Sequence, residues 1–197
     1  MSAPQPRSGL YDPRFDHDGC GVAFVARAGR APAHDVVALG LQALINLDHR
    51  GARGADPESG DGAGILIQLP DAFLRATAGF ELPPPGRYGV GMLFLPTDPT
   101  QRRQCEGIVA DACADEGLRV AGWRDVSHDA TAPGGSARDM MPVIRQVFVA
   151  AIGLRDELLE RRLYVLRRVI ERRAAAAGFD RSRLHAASFS SRTLVYK

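Results

Sequence analysis

One long amphipathic stretch constrains this fold more than any other part of the sequence. From Asp156 onward, Leu159, Leu163, Leu166 and Ile170 recur at helical spacing, Leu158, Val165 and Val169 widen the stripe, and Gly178 stands where a left-handed C-terminal stop belongs. A helix with such a stripe needs a partner surface. Short apolar runs supply it: Gly21–Ala26, Ile65–Leu69, Tyr88–Leu95, Leu118–Val126 and Val143–Ala151 read as strands, and the chain closes with two short apolar segments, Leu184–Phe189 and Thr193–Tyr196. Further helices are expected from Val36 to Leu47 with Asp35 as N-cap, from Pro70 to Ala78, and from Pro99 to Glu116. The first of these is apolar on nearly every side and is expected to be buried. The third places Cys105, Ile108, Val109, Ala112 and Cys113 on one face, which makes both cysteines core residues. Strands and helices alternate without a repeat period, which gives a mixed α/β count in a single domain.

Composition narrows the function. The 197 residues are 45% hydrophobic, and 25 basic side chains nearly balance 23 acidic ones, so no overall field calls for nucleic acid or an anionic membrane. Arginine concentrates between Arg155 and Arg173, but Glu157, Glu160 and Glu171 interrupt it, and the run reads as a solvated helix face. No run approaches the roughly 20 apolar residues of a membrane span. The three cysteines, Cys20, Cys105 and Cys113, form no disulfide framework or close-spaced metal motif. A reducing, cytoplasmic setting is expected.

The residues that carry chemistry lie early. Met1 to Gly19 is polar and broken by prolines, as a leader or arm would be. Cys20 then stands between two glycines, where a thiol can serve as a buried filler or as a nucleophile. After the helix come Asp48-His49-Arg50 and a stretch from Gly51 to Gly64 with five glycines in fourteen residues, a composition that suits unusual dihedrals or a closely approached backbone. Without Gly-Lys-Ser/Thr, and with Asp61 inside it, this is no phosphate cradle.

Four blocks in order carry a resemblance. Tyr11-Asp-Pro-Arg-Phe-Asp-His-Asp-Gly-Cys20-Gly-Val resembles the start of the glutamine amidotransferase domain of the glutamate synthase large subunit. Leu44-Ile-Asn-Leu-Asp-His-Arg-Gly-Ala52 with Gly54-Ala-Asp56 and Ser59-Gly-Asp-Gly-Ala-Gly-Ile65 is similar to the family's second block. Pro142-Val-Ile-Arg-Gln-Val-Phe148 and Ser188-Phe-Ser-Ser-Arg-Thr-Leu-Val-Tyr-Lys197 are similar to later ones.

The resemblance implies an α+β, four-layer αββα N-terminal-nucleophile hydrolase sandwich, C-terminally incomplete, with residues 1–19 as leader and 20–197 as a partial class II amidotransferase domain. It implies that Cys20, freed at its amino end, attacks the side-chain amide of glutamine, and that Arg50 holds the substrate's α-carboxylate. His49 is assigned a structural role, and Asp56, Ser59 and Asp61 are expected to bind backbone amides within the glycine-rich loop. No cofactor is implied for this segment; FMN and an iron–sulfur cluster are implied for the complete enzyme. The implied partners are the remainder of the large subunit and a small electron-donating subunit, with no nucleic acid and no membrane.

The family's Asn-Gly oxyanion pair has no counterpart here, since Asn46 is the only asparagine. Little glutaminase activity is therefore expected of this chain alone, and poor solubility is expected because an incomplete sheet exposes an edge or an apolar face. The remaining readings are another class II amidotransferase and a truncated copy without catalysis.

Overall fold

The computed structural model describes residues 21–29, 31–51, 62–151 and 153–197. The chain divides into two compact units, Met1–Ala52 and Arg53–Lys197. In the first unit the main described element is helix α1, His34–Asn46, followed by a single 3-10 turn at Asp48–Arg50. Asp35 is not its N-cap. Ala33 takes that position without a side-chain cap, and Asp35, inside the first turn, pairs instead with Arg27.

Two expectations for this unit are overturned. Gly21–Ala26 is not a strand: no backbone partner lies beside it among the described residues, and Val22 and Phe24 are 87% and 91% exposed. β-branched residues favour a strand only where a neighbour completes the ladder. Nor is α1 buried, because Leu39, Leu41 and Ile45 all face outward and the other described residues of the unit amount to one extended segment and one turn.

The second unit is built on a sheet. Its elements are β1 (Ile65–Gln68), α2 (Asp71–Thr77), β2 (Tyr88–Leu95), α3 (Pro99–Asp115), β3 (Leu118–Asp125), α4 (Gly135–Asp139), β4 (Val143–Ala151), α5 (Asp156–Ala176), β5 (His185–Ser190) and β6 (Thr193–Tyr196). Four strands form an antiparallel sheet in the order β3-β4-β2-β5, and β1 and β6 form an antiparallel pair of their own.

β2 lies inside and has both faces covered, which is why it reads as an unbroken apolar run instead of an alternating one. Leu93 and Leu95 meet α3 and α5, whereas Tyr88, Val90 and Met92 join Leu74, Phe148 and Leu194 on the side of the β1–β6 pair. The second unit thus stacks helices, a four-stranded sheet and a two-stranded sheet.

α3 is capped as its sequence suggests: Asp98 accepts from the backbone N–H of Thr100 and Gln101, and Pro99 opens the first turn. Cys105, Val109, Ala112 and Cys113 are its buried residues. The inner face of α5 carries Leu159, Leu163, Leu166 and Ile170, and Gly178 beyond its end has φ 84°. Leu158 and Val165 do not widen that face; they are 62% and 43% exposed. The surface excursion after β3 holds the short helix α4, which propensity alone did not disclose.

Candidate active site

Cys20 lies outside the described residues, as do the leader Met1–Gly19 and loop residues Asp56, Ser59 and Asp61. Its neighbour Gly21 is described, and it is packed tightly. A methyl group on Gly21 would stand 3.0 Å from Leu47 Cδ2, 3.3 Å from Arg50 Cβ and 3.4 Å from Arg50 Cγ. The absence of a side chain at residue 21 therefore lets the backbone next to the cysteine lie against the stem of Arg50.

The local sequence explains how Arg50 comes to be there. α1 ends at Asn46, Leu47 N–H reaches back to Ala43 and Leu44 carbonyls at 3.1 Å each, and the chain tightens into a 3-10 turn in which Arg50 N–H donates to Leu47 O at 2.8 Å. The turn rotates Arg50 back toward residue 21. Among the described residues no hydrogen bond or ion pair engages its guanidinium, so the charged fork is free to take a planar anion.

His49 stands in the same 3-10 turn. Its Nδ1 lies 3.0 Å from the Asn46 carbonyl oxygen, which anchors the ring to the end of α1. Asn46, the one asparagine, accepts from Gln42 Nε2 at 3.0 Å through its side-chain oxygen. It is engaged along its own helix. At the far end of the glycine-rich loop, Gly64 has a structural reason to lack a side chain, because a methyl group there would stand 3.1 Å from the Tyr196 carbonyl oxygen.

In the second unit a further arrangement stands out that sequence reading did not find. Glu160 of α5 receives the Ser190 hydroxyl at 2.5 Å, the Ser191 N–H at 2.9 Å and the Ser191 hydroxyl at 2.7 Å. Burial works most strongly against the Glu160 charge. The bonds from Ser190 and Ser191, with Arg192 nearby, together outweigh it and hold the carboxyl below its ordinary range. Three donors around one carboxylate leave no role for it in proton transfer at neutral pH. It is a clamp on the two residues that pass from β5 to β6.

The shallow hollow lined by Arg102, Asp125, Val143 and Arg145 is not a binding site for an anion. Arg145 pairs with Glu106 and, at 2.7 Å, with Asp125, and its guanidinium carbon lies 5.2 Å from the centre of the Trp123 ring. Arg102 donates to the Pro96 and Thr97 carbonyls at 3.3 and 3.0 Å.

The two described cysteines do not fit an iron–sulfur cluster. Cys105 and Cys113 are buried on the core face of α3, about 12 Å apart by helix rise. No group of three or more His, Cys, Asp or Glu able to hold a metal ion occurs among the described residues. Among those residues, too, no helix is long and apolar enough to cross a membrane.

The family model described as "Glutamine amidotransferases class-II" matches residues 20–197. The chain is 43% identical over 192 residues to the "Glutamate synthase [NADPH] large chain" of Bacillus subtilis (strain 168), covering 96% of this chain and 12% of that one. It is 38% identical over 202 residues to "Ferredoxin-dependent glutamate synthase 1, chloroplastic/mitochondrial" of Arabidopsis thaliana, covering 100% and 12%. The large chain of Azospirillum brasilense is 35% identical over 192 residues, covering 95% and 12%. The chain thus spans about 12% of the length of the curated relatives it matches.

Proposed function

Since the chain belongs to the class-II glutamine amidotransferases, we propose that Cys20 is its nucleophile and Arg50 its substrate anchor, and that it supplies the glutamine-hydrolysing domain of a glutamate synthase. The observation that carries this reading is the packing of Gly21 against Arg50. It sets the stem of Arg50, whose guanidinium has no partner among the described residues, against the residue that follows the cysteine. The family match, which starts at residue 20, supports the same assignment.

The chemistry follows from the proximity of two ionisable groups. Removal of Met1–Gly19 gives Cys20 a free α-amino group with a pKa near ~8, close to the ordinary thiol value of ~8.5. The amine takes the thiol proton, and the sulfur attacks the side-chain carbonyl carbon of glutamine. The amine then returns the proton to the departing nitrogen, which leaves as ammonia. Water attacks the resulting glutamyl thioester, the thiol is regenerated and glutamate is released. Arg50 binds the α-carboxylate with two parallel N–H donors and so fixes which carbonyl reaches the sulfur.

Ammonia then passes to a synthase site that makes glutamate from 2-oxoglutarate, in the cytoplasm. FMN, an iron–sulfur cluster and a small electron-donating subunit serve that site. The names of the relatives, which are glutamate synthases, support the synthase part of this assignment. The complete domain takes the four-layer αββα form, which the stacked helices and two antiparallel sheets of residues 53–197 support. With no Asn-Gly pair in the sequence, residues 1–197 lack that oxyanion donor, and the loss of one such donor typically costs ~10²- to 10³-fold in rate.

Intact mass and labelling test the reading together. The mass should fall by residues 1–19, and a glutamine-analogue electrophile should attach once, at Cys20, and not at all to a Cys20→Ala variant. A full-length mass with label spread equally over Cys20, Cys105 and Cys113 would overturn it.

A further inference from the structure

Helix α5 is apolar on two opposite sides. Its inner stripe, Leu159, Leu163, Leu166 and Ile170, is fully buried against the four-stranded sheet. Its outer stripe runs Leu158, Arg161, Val165, Arg168 and Arg172, spaced three and four residues apart, so one line of side chains faces away from the core. Tyr164 lies beside it. Leu158, Tyr164 and Val165 are 62%, 64% and 43% exposed.

A helix face that only meets water has no use for Leu158 and Val165 in one row with Tyr164 beside them, and exposed apolar residues are ordinary only when scattered. Nor do the arginines serve as internal ion pairs throughout. Arg162, Arg167 and Arg173 have structural partners in Glu116, Glu171 and Asp115. In the outer stripe Arg168 pairs with Glu171, whereas Arg161 and Arg172 have no partner among the described residues. The nearby acids are already occupied: Glu157 by Arg192, and Glu160 by Ser190 and Ser191. The stripe is therefore positive with an apolar seam. Arginine and tyrosine beside aliphatic side chains is the composition enriched at protein interfaces.

We propose that the outer face of α5 is a docking surface for an acidic protein segment outside residues 1–197, one that sets aliphatic side chains against Leu158 and Val165 and carboxylates against Arg161, Arg168 and Arg172. Charge complementarity selects this occupant. A second copy of the same face would bring arginine against arginine.

The test measures binding of the 1–197 chain to three synthetic amphipathic helical peptides: one with glutamates flanking a leucine seam, one with lysines in their place, and one with the glutamates kept and the seam changed to serine. Fluorescence anisotropy at low and moderate salt reads the affinities. The glutamate–leucine peptide should bind about ten-fold more tightly than either of the others, as expected for a few charge pairs around an apolar centre.

The Arg161→Glu/Arg168→Glu/Arg172→Glu variant should reverse the charge preference. Leu158→Ser/Val165→Ser should weaken the leucine peptide and leave the serine peptide unchanged. All five positions are exposed, so thermal unfolding should change little beyond the loss of the exposed Arg168–Glu171 pair. Equal binding of the three peptides, or an acidic preference that survives the triple charge reversal, would overturn the proposal. So would tighter binding to duplex DNA or anionic vesicles than to the acidic peptide.

Discussion

Glu160 and Ser191 are joined twice, by the serine N–H at 2.9 Å and its hydroxyl at 2.7 Å, both to the same carboxylate oxygen. The other oxygen receives Ser190, whose own Oγ accepts from Arg192 N–H and Thr193 N–H at 3.0 and 3.2 Å. One carboxylate thereby fixes the two residues by which the chain leaves the large sheet and enters the small one.

Replacing Glu160 with alanine leaves part-buried donors unpaired, and the expected loss is about 1–3 kcal/mol by urea unfolding. The pH dependence has a definite sign. The native carboxyl is held below its ordinary value of 4.5 despite its burial, so its contribution is complete above the unfolded pKa and fades as pH falls through the lower native one. The gap in urea midpoint between the protein and Glu160→Ala should be wide at pH 7 and nearly closed at the acid end. A gap that stays constant down to that end would refute the clamp.

Gly89 sets how close α5 comes to the sheet. A methyl group there would stand 2.3 Å from Leu163 Cδ1 and 2.9 Å from its Cδ2. Gly89→Ala should therefore destabilise by about 1–3 kcal/mol through overpacking. Leu163→Val trims the side chain that collides, so the double variant should lose less than the sum of the two single variants. Additive losses in the same unfolding assay would mean that the helix simply shifts as a body.

The central sheet is legible in the sequence because its strands have both faces covered. Tyr88–Leu95 is a continuous apolar run and Val143–Ala151 is apolar apart from Arg145 and Gln146, and both have the bounds the structure gives them. The inner stripe of α5 is legible for a similar reason, since a long helix repeats its pattern often enough to fix its buried side.

The same logic misleads at α1 and at Gly21–Ala26. Apolar residues signal burial only when something is there to cover them, and a single unit's sequence does not say what that is. Leu158 and Val165 are misread because an apolar residue gives no sign of which face it serves. Arg50 is proposed through a block of neighbouring residues. Glu160 is missed because a glutamate in an arginine-rich helix reads as surface charge, and its serine partners lie about thirty residues further on.

Buried thiols separate the cysteines by chemistry. Burial pushes Cys113 up to about 12, and burial together with the neighbouring Glu106 charge pushes Cys105 up to about 11. At pH 8 neither carries an appreciable thiolate, and neither is reachable. A neutral alkylating reagent should therefore modify at most one cysteine of the folded chain and all three in guanidinium. Fast native labelling of Cys105 or Cys113 by mass spectrometry would mean that α3 opens far more readily than its packing implies.

Arg50 is placed by its neighbour as much as by its own turn. Gly21→Ala would set a methyl group 3.3 Å from the Arg50 Cβ and 3.0 Å from Leu47 Cδ2, so Arg50 has to yield. If its guanidinium holds the glutamine α-carboxylate, both Gly21→Ala and Arg50→Lys should weaken ground-state binding. A lysine keeps the charge but loses the two-pronged geometry, and a charge-assisted hydrogen bond is worth about 1.5–3 kcal/mol. That corresponds to roughly ten- to hundred-fold in the concentration of a glutamine-analogue electrophile needed for half-maximal labelling of Cys20. The limiting labelling rate at saturation should change far less, because the guanidinium touches the carboxylate and not the reacting carbon. A variant that lowers the limiting rate and leaves the half-saturating concentration untouched would move Arg50 from substrate anchor to support for the nucleophile.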